Sequence, residues 1–151
     1  MGIKTISIGM MKPNKDDVIA WRGPILDRAL TQLLADVHWG DLDYLLLDLP
    51  PGTGDIAMSL GQKVPTAEVL VVTTPQQAAS EVAERAGTMA ALMNQKIIGV
   101  VENMSWLAFT APDTGKEYRI DLFGSGGGQE AADALSKRLG TEVPLLAQVP
   151  M

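Results

Sequence analysis

Three short runs of unbroken apolar residues, Tyr44 to Leu47, Val69 to Val72 and Ile97 to Val101, constrain the fold more than any other feature of this sequence. None alternates with polar residues, and each is followed within a few positions by Pro, Thr or Asn. Such runs suit strands buried on both faces of a parallel sheet. Segments of helical period lie between them. From Pro24 onward Ile25, Leu26, Ala29, Leu30, Leu33, Leu34 and Val37 recur at helical spacing, and Pro24 suits a first turn where its missing N–H costs nothing. A second helix is expected over Gln76 to Met93, with Ala79, Val82, Ala83, Ala86, Met89, Ala90 and Met93 on one face. A third is expected over Gln129 to Leu139, before a final strand at Leu145 to Val149. Lys4 to Ile8, alternating and β-branched, reads as a first strand leading into a loop over Gly9 to Asp17. Strands alternating with helices predict an α/β fold, a mostly parallel sheet with flanking helices, in which ligands bind outside the carboxyl ends of the strands.

With 46% apolar and 20% charged residues the chain has the balance of a folded globular protein. Its length of 151 residues suits one domain. The net charge of −6 argues against a nucleic-acid partner, because phosphate-backbone affinity rests on clustered Lys and Arg. No apolar run approaches the roughly 18–20 residues of a membrane span, and Met1 to Gly9 lacks a signal-peptide pattern. A cytoplasmic protein without membrane contact is expected. The chain has no cysteine, which removes thiolate metal sites and thiol nucleophiles from its own chemistry.

The candidate chemistry sits where strands are expected to end. In "LLLDLPPGTGD", Leu45 to Asp55, an acid closes an apolar run and a constrained turn follows at once. Asp48 in that position can hold Mg²⁺ directly or through water. Pro50 and Pro51 stiffen the exit, while Gly52 and Gly54, flanking Thr53, let backbone approach a phosphate. The plain alternative is a strand-to-turn junction with Asp55 opening a short helix. In "VVTTPQQ", Thr73 and Thr74 suit either ligand contact or helix capping. In "VVENMS", Asn103 carries an amide able to read an adenine edge, although an Asn after a strand also serves as a turn residue.

Two phosphate-loop look-alikes fail on spacing. In "GSGGGQ", Gly124 to Gln129, the third glycine of G-x-G-x-x-G falls on Gln129. In "DTGK", Asp113 to Lys116, neither the leading glycine nor the trailing Ser or Thr is present, and a hairpin turn is expected. His38, the sole histidine, reads as structural, and Met10 and Met11 as loop or core packing.

In this order the motifs resemble the Mrp/ApbC family of iron–sulfur cluster carriers, MinD/ParA-like P-loop ATPases of the SIMIBI class. The resemblance spans nearly the whole chain. It rests on Ser7 to Gly9, "WRGP" at Trp21 to Pro24, Trp39 to Asp55, Val71 to Gln76, Gly99 to Ser105, "FGSGGG" at Phe123 to Gly128 and "QVP" at Gln148 to Pro150. It implies that Asp48 is the Walker B aspartate and Mg²⁺ ligand, and that Leu49 to Gly54, with Gly52, Thr53 and Gly54, form the switch II loop beside the ATP phosphates. It further implies that Asn103 contacts adenine and that Pro150 lies in a loop closing over the base. Family members dimerise around ATP and deliver a cluster to apo iron–sulfur proteins, so a homodimer is expected.

The sequence departs from that pattern in two places. No glycine-rich loop with its lysine lies in these residues. The family's C-P-x-C-G cluster ligands correspond to Ala111, Pro112, Asp113, Thr114 and Gly115, so cluster ligation by cysteine is not expected from this chain. Residues 1–151 are therefore expected to be a single, partial ATPase domain from a longer protein, with an incomplete P-loop NTPase-like sheet that pairs with a second copy to cover its edges. Two alternatives have different functions: a non-catalytic interaction module derived from such an NTPase, and a MinD/ParA-like positioning ATPase.

Overall fold

The computed structural model describes residues 3–11, 23–49, 54–76 and 79–151. The chain divides into two compact units, Met1–Lys63 and Val64–Met151.

Among the described residues the first unit has two α-helices, α1 (Gly23–Ala35) and α2 (Gly54–Lys63). Their facing apolar residues are buried, Ala29 and Leu30 from α1 and Ile56 and Leu60 from α2. A polar clamp pins the helices together: Asp27 of α1 accepts from Ser59 and pairs with Lys63 at 3.2 Å, both on α2. The Ser59 hydroxyl, then the Lys63 ammonium, hold the Asp27 carboxyl below its ordinary range. After α1 the chain turns at Gly40, φ +70°. Trp39 donates from its indole to the Leu33 carbonyl at 3.1 Å, and Lys4 donates to the Trp39 carbonyl.

Two expected strands are absent from this unit. Residues 3–7 carry no ladder, and Ile8–Met11 forms a 3₁₀ turn. Tyr44 to Leu49 is likewise unpaired, with Tyr44 87% and Leu46 90% exposed. The physical reason is the same for both. A strand is a property of a pair, held by hydrogen bonds to a neighbour, and among the described residues neither segment has one. The alternative of a short helix opening at Asp55 is realised as α2, with Asp55 in its first turn.

The second unit carries the sheet. Strands β1 (Val69–Thr73), β2 (Ile97–Asn103) and β5 (Leu145–Val149) run parallel in the order β1-β2-β5. Helices α3 (Ala79–Met93) and α4 (Gly127–Leu139) supply the crossovers. The expected α/β class with a mostly parallel sheet and flanking helices is what forms. Residues 77–78, at the expected start of α3, lie outside the described residues. Helix α4 begins two residues earlier than expected, at Gly127.

Val71, Ile97 and Val100 of the sheet pack with Ala83, Ala90, Ala131, Ala132 and Leu135 of the helices and with Val143. Small residues let α3 and α4 approach closely; a Cβ on Gly87 would stand 3.0 Å from the Leu135 side chain. The expectation of burial on both faces holds for much of β2 but not for β1. Helices α3 and α4 cover the face bearing Val71, whereas Leu70 and Val72 on the opposite face are 45% and 56% exposed.

A separate antiparallel hairpin, β3 (Leu107–Thr110) and β4 (Glu117–Ile120), joins β2 to α4. Its turn is the expected one at Asp113 to Lys116, closed by a hydrogen bond from the Gly115 N–H to the Ala111 carbonyl at 2.8 Å. Gly115 has φ +67°, a conformation glycine adopts without steric penalty. The flanking strands were not foreseen. Phe109 stacks on Tyr118 across the pair with centroids 5.2 Å apart, and the Arg119 guanidinium lies 3.9 Å from the centre of the Trp106 ring.

Candidate functional site

Because β1, β2 and β5 are parallel, their carboxyl ends share one edge of the sheet. Register fixes what meets there. Thr73 of β1 lies beside Glu102 of β2, and Asn103 of β2 lies beside Val149 of β5. Pro150 follows directly, so the structure brings Asn103 and Pro150 to adjacent strand ends. Two further hydrogen bonds hold them: Ser105 N–H to the Val149 carbonyl at 3.0 Å, and Met151 N–H to the Trp106 carbonyl at 2.9 Å.

Asn103 is half-buried and its side-chain oxygen accepts from the Met104 N–H at 2.9 Å. Met104 sits at φ +57°, which turns the chain sharply off the strand. The turn-residue role weighed for Asn103 is therefore real. It uses only one of the oxygen's two lone pairs, so the amide retains both donor and acceptor capacity for a ligand.

Asp48 and Gly54 lie in the other unit. Asp48 is exposed at the end of the unpaired segment rather than at a strand terminus, and Gly54 is the first residue of α2. Gly52 and Thr53, with Pro50 and Pro51, lie outside the described residues. Among the described residues no three His, Cys, Asp or Glu side chains cluster as a metal site. A lone carboxylate still fits Mg²⁺, which is commonly held by one or two carboxylates together with substrate phosphates and water.

A buried polar knot beneath Asn103 escaped the sequence reading. Glu102, 1% exposed, accepts from the Gly128 N–H at 2.6 Å and from the Gln148 side-chain amide at 2.8 Å. Burial pushes its carboxyl upward, but the Gly128 N–H, the Gln148 amide and the Arg119 charge outweigh it and hold the group below the ordinary glutamate range. The available signal was an acid inside an apolar strand, "IIGVVEN", matched by a glutamine inside "LLAQV".

The knot also explains the glycine cluster. A Cβ on Gly127 would lie 2.6 Å from the Pro75 backbone, and one on Gly128 2.7 Å from the Glu102 Cβ. These glycines admit close backbone approach, and an internal carboxylate takes the first-turn N–H of α4 that a phosphate would otherwise use. The rejection of "GSGGGQ" as a dinucleotide loop is consistent with this packing.

The family model for the ParA group, described as NUBPL iron-transfer P-loop NTPase, matches residues 1–151. The chain belongs to this family. Among its relatives, an iron–sulfur cluster carrier protein of Mycobacterium leprae is 59% identical over 149 residues, covering 99% of this chain and 37% of the relative. Another of that name, from Methanocaldococcus jannaschii, is 42% identical over 151 residues, covering 99% of this chain and 49% of the relative. The chain thus spans between about a third and a half of the length of these relatives. A solved structure, a nucleotide-binding protein of Archaeoglobus fulgidus in complex with ADP, superposes with a TM-score of 0.61 at 35% identity. The superposition covers 84% of this chain and 48% of the neighbour. The family expected from the ordered motifs is the family found.

Proposed function

We propose that this chain is the part of an ATP-driven iron–sulfur cluster carrier that reads the nucleotide base and senses the γ-phosphate, both units belonging to one ATPase domain. The observation carrying this reading is the meeting of Asn103 and Pro150 at adjacent carboxyl ends of a parallel sheet, in a chain matched along its length by cluster carriers. Ligands of open α/β sheets bind at that edge.

In this reading the Asn103 amide donates to and accepts from the adenine edge, and Pro150 closes over the ring. Asp48 holds Mg²⁺, which would neutralise charge on the transferring phosphoryl group. Gly52, Thr53 and Gly54 bring backbone against the γ-phosphate, and α2, which starts at Gly54, passes on whether that phosphate is present. The glycine-rich phosphate cradle and its lysine are supplied by chain beyond these 151 residues. Two copies close around ATP as a homodimer in the cytoplasm. The cluster is cargo for apo iron–sulfur proteins, and with no cysteine in this chain its ligands come from elsewhere.

The test is Mg-ATP hydrolysis by the full-length protein with and without Asp48→Ala, alongside cluster transfer to an apo iron–sulfur protein. Hydrolysis falling to background in the variant is expected. Normal turnover in Asp48→Ala would refute the role of Asp48, and a wild-type protein that neither hydrolyses ATP nor transfers a cluster would refute the function.

A further inference from the structure

Glu102 has no task in the chemistry proposed above, yet it is among the most deeply buried side chains of the second unit. An ionised carboxylate is costly to bury unless its lone pairs are filled. Here they are filled from two other elements. Oε2 takes the Gly128 N–H from the first turn of α4, and Oε1 takes the Gln148 side-chain amide from β5. The positive end of the α4 dipole adds to the first of these contacts. Helix and strand approach so closely that a Cβ on Gly128 would fall 2.9 Å from Oε2.

Position along the chain gives the knot its significance. Glu102 immediately precedes Asn103, and Gln148 lies two residues before Pro150. One carboxylate therefore ties the strand end bearing the base-reading amide to the strand end bearing the base-closing turn, and both to α4. The Ser105 hydroxyl, donating to the Glu102 carbonyl at 3.0 Å, fixes the turn that leaves Asn103.

We infer that Glu102 is a positioning residue of the base pocket, setting where Asn103 stands relative to Pro150 and hence the preference for adenine over guanine. This rests on the nucleotide reading above. Adenine presents a donor beside an acceptor, which an asparagine amide matches bidentately, whereas guanine presents acceptors where adenine donates. Discrimination of that kind depends on the amide's placement. Contacts to the phosphates do not. A merely structural staple would, on removal, weaken binding of every nucleotide alike.

The experiment is competition binding on the full-length protein with three probes, ATP, GTP and inorganic tripolyphosphate. Glu102→Ala is expected to lower the ATP-to-GTP affinity ratio about tenfold, the scale of one bidentate base contact, and to leave tripolyphosphate binding essentially unchanged. Glu102→Gln keeps an acceptor for Gly128, and Gln148 can turn its own amide oxygen toward the new NH₂, so most of the ratio should return. An unchanged ratio in Glu102→Ala, or an equal loss for all three probes, overturns the inference. Should Glu102→Ala fail to fold, Gln148→Met carries the test by removing one anchor. A lowered ratio is again expected, and an unchanged one is again fatal. A wild-type protein that binds tripolyphosphate with no preference for ATP would instead overturn the nucleotide-base reading itself, and the inference with it.

Discussion

Replacing Gly127 with alanine puts one methyl group where the structure has no space. Its Cβ would stand 2.6 Å from the carbonyl carbon and oxygen of Pro75 and 2.7 Å from the Thr74 oxygen. Carbon atoms in comfortable contact are about 3.5–4.0 Å apart. The atoms in the way are backbone, leaving the β1 strand end, and cannot rotate aside as a side-chain tip would. Overpacking of this kind costs about 1–3 kcal/mol, and occasionally more. Alanine's better helix propensity returns at most about 1 kcal/mol. With the clash at the upper end of its range, the net loss is about 2 kcal/mol. At roughly 4–8 °C per kcal/mol for a unit of this size, the unfolding midpoint should fall by about 8–16 °C. Thermal unfolding followed by circular dichroism reads this directly. Gly126→Ala is the control, since nothing lies within 4 Å of its Cβ and only its φ of +90° is strained. A Gly127→Ala protein as stable as wild type would refute the close-approach account of the glycine cluster and reopen a ligand role for it.

Acid should act through Glu102. Its carboxyl is depressed below the ordinary value of 4.5, so its contribution is complete above that value and is lost as pH falls through the depressed folded value. Urea midpoints at about pH 7 and about pH 3.5 should therefore differ less in Glu102→Gln than in wild type, and an equal acid loss would refute the linkage. Arg119→Ala removes the cation over the Trp106 ring, an interaction of about 0.5–1 kcal/mol at an exposed site. The hairpin should loosen and Trp106 emission shift; an unchanged spectrum would count against the contact. Calorimetric titration of residues 1–151 with Mg-ATP should give no measurable heat, because these residues contain no glycine-rich phosphate loop with its lysine. Saturable binding at micromolar affinity would show that these residues hold a phosphate site of their own.

Legibility followed interaction range. Helices α1, α3 and α4 were readable because their apolar period is local, and each carries enough of it to be unambiguous. Strands β1, β2 and β5 were readable because their partners lie within the same unit. Lys4 to Ile8, alternating and β-branched, and Tyr44 to Leu47, continuous and apolar, read as strands on the same grounds of residue pattern, yet neither forms one. Composition records a strand's fitness for a pair, and neither segment has a partner among the described residues. The β3 and β4 strands went unseen for the opposite reason. Both are short and exposed, so only their glycine turn left a mark in the sequence.

The same distinction sorts the site. Asn103 and Pro150 announce themselves through residue type and order, and parallel register sets them side by side. Glu102 does not announce itself, because its meaning depends on Gly128, 26 positions away, and Gln148, 46 positions away. A one-dimensional reading meets an acid in an apolar strand and finds a local misfit. In three dimensions that acid completes the first turn of α4, forbids a side chain at Gly128 and restrains the strand end that carries Asn103. The glycine cluster, which fails as a phosphate loop, and the buried glutamate form one packing solution.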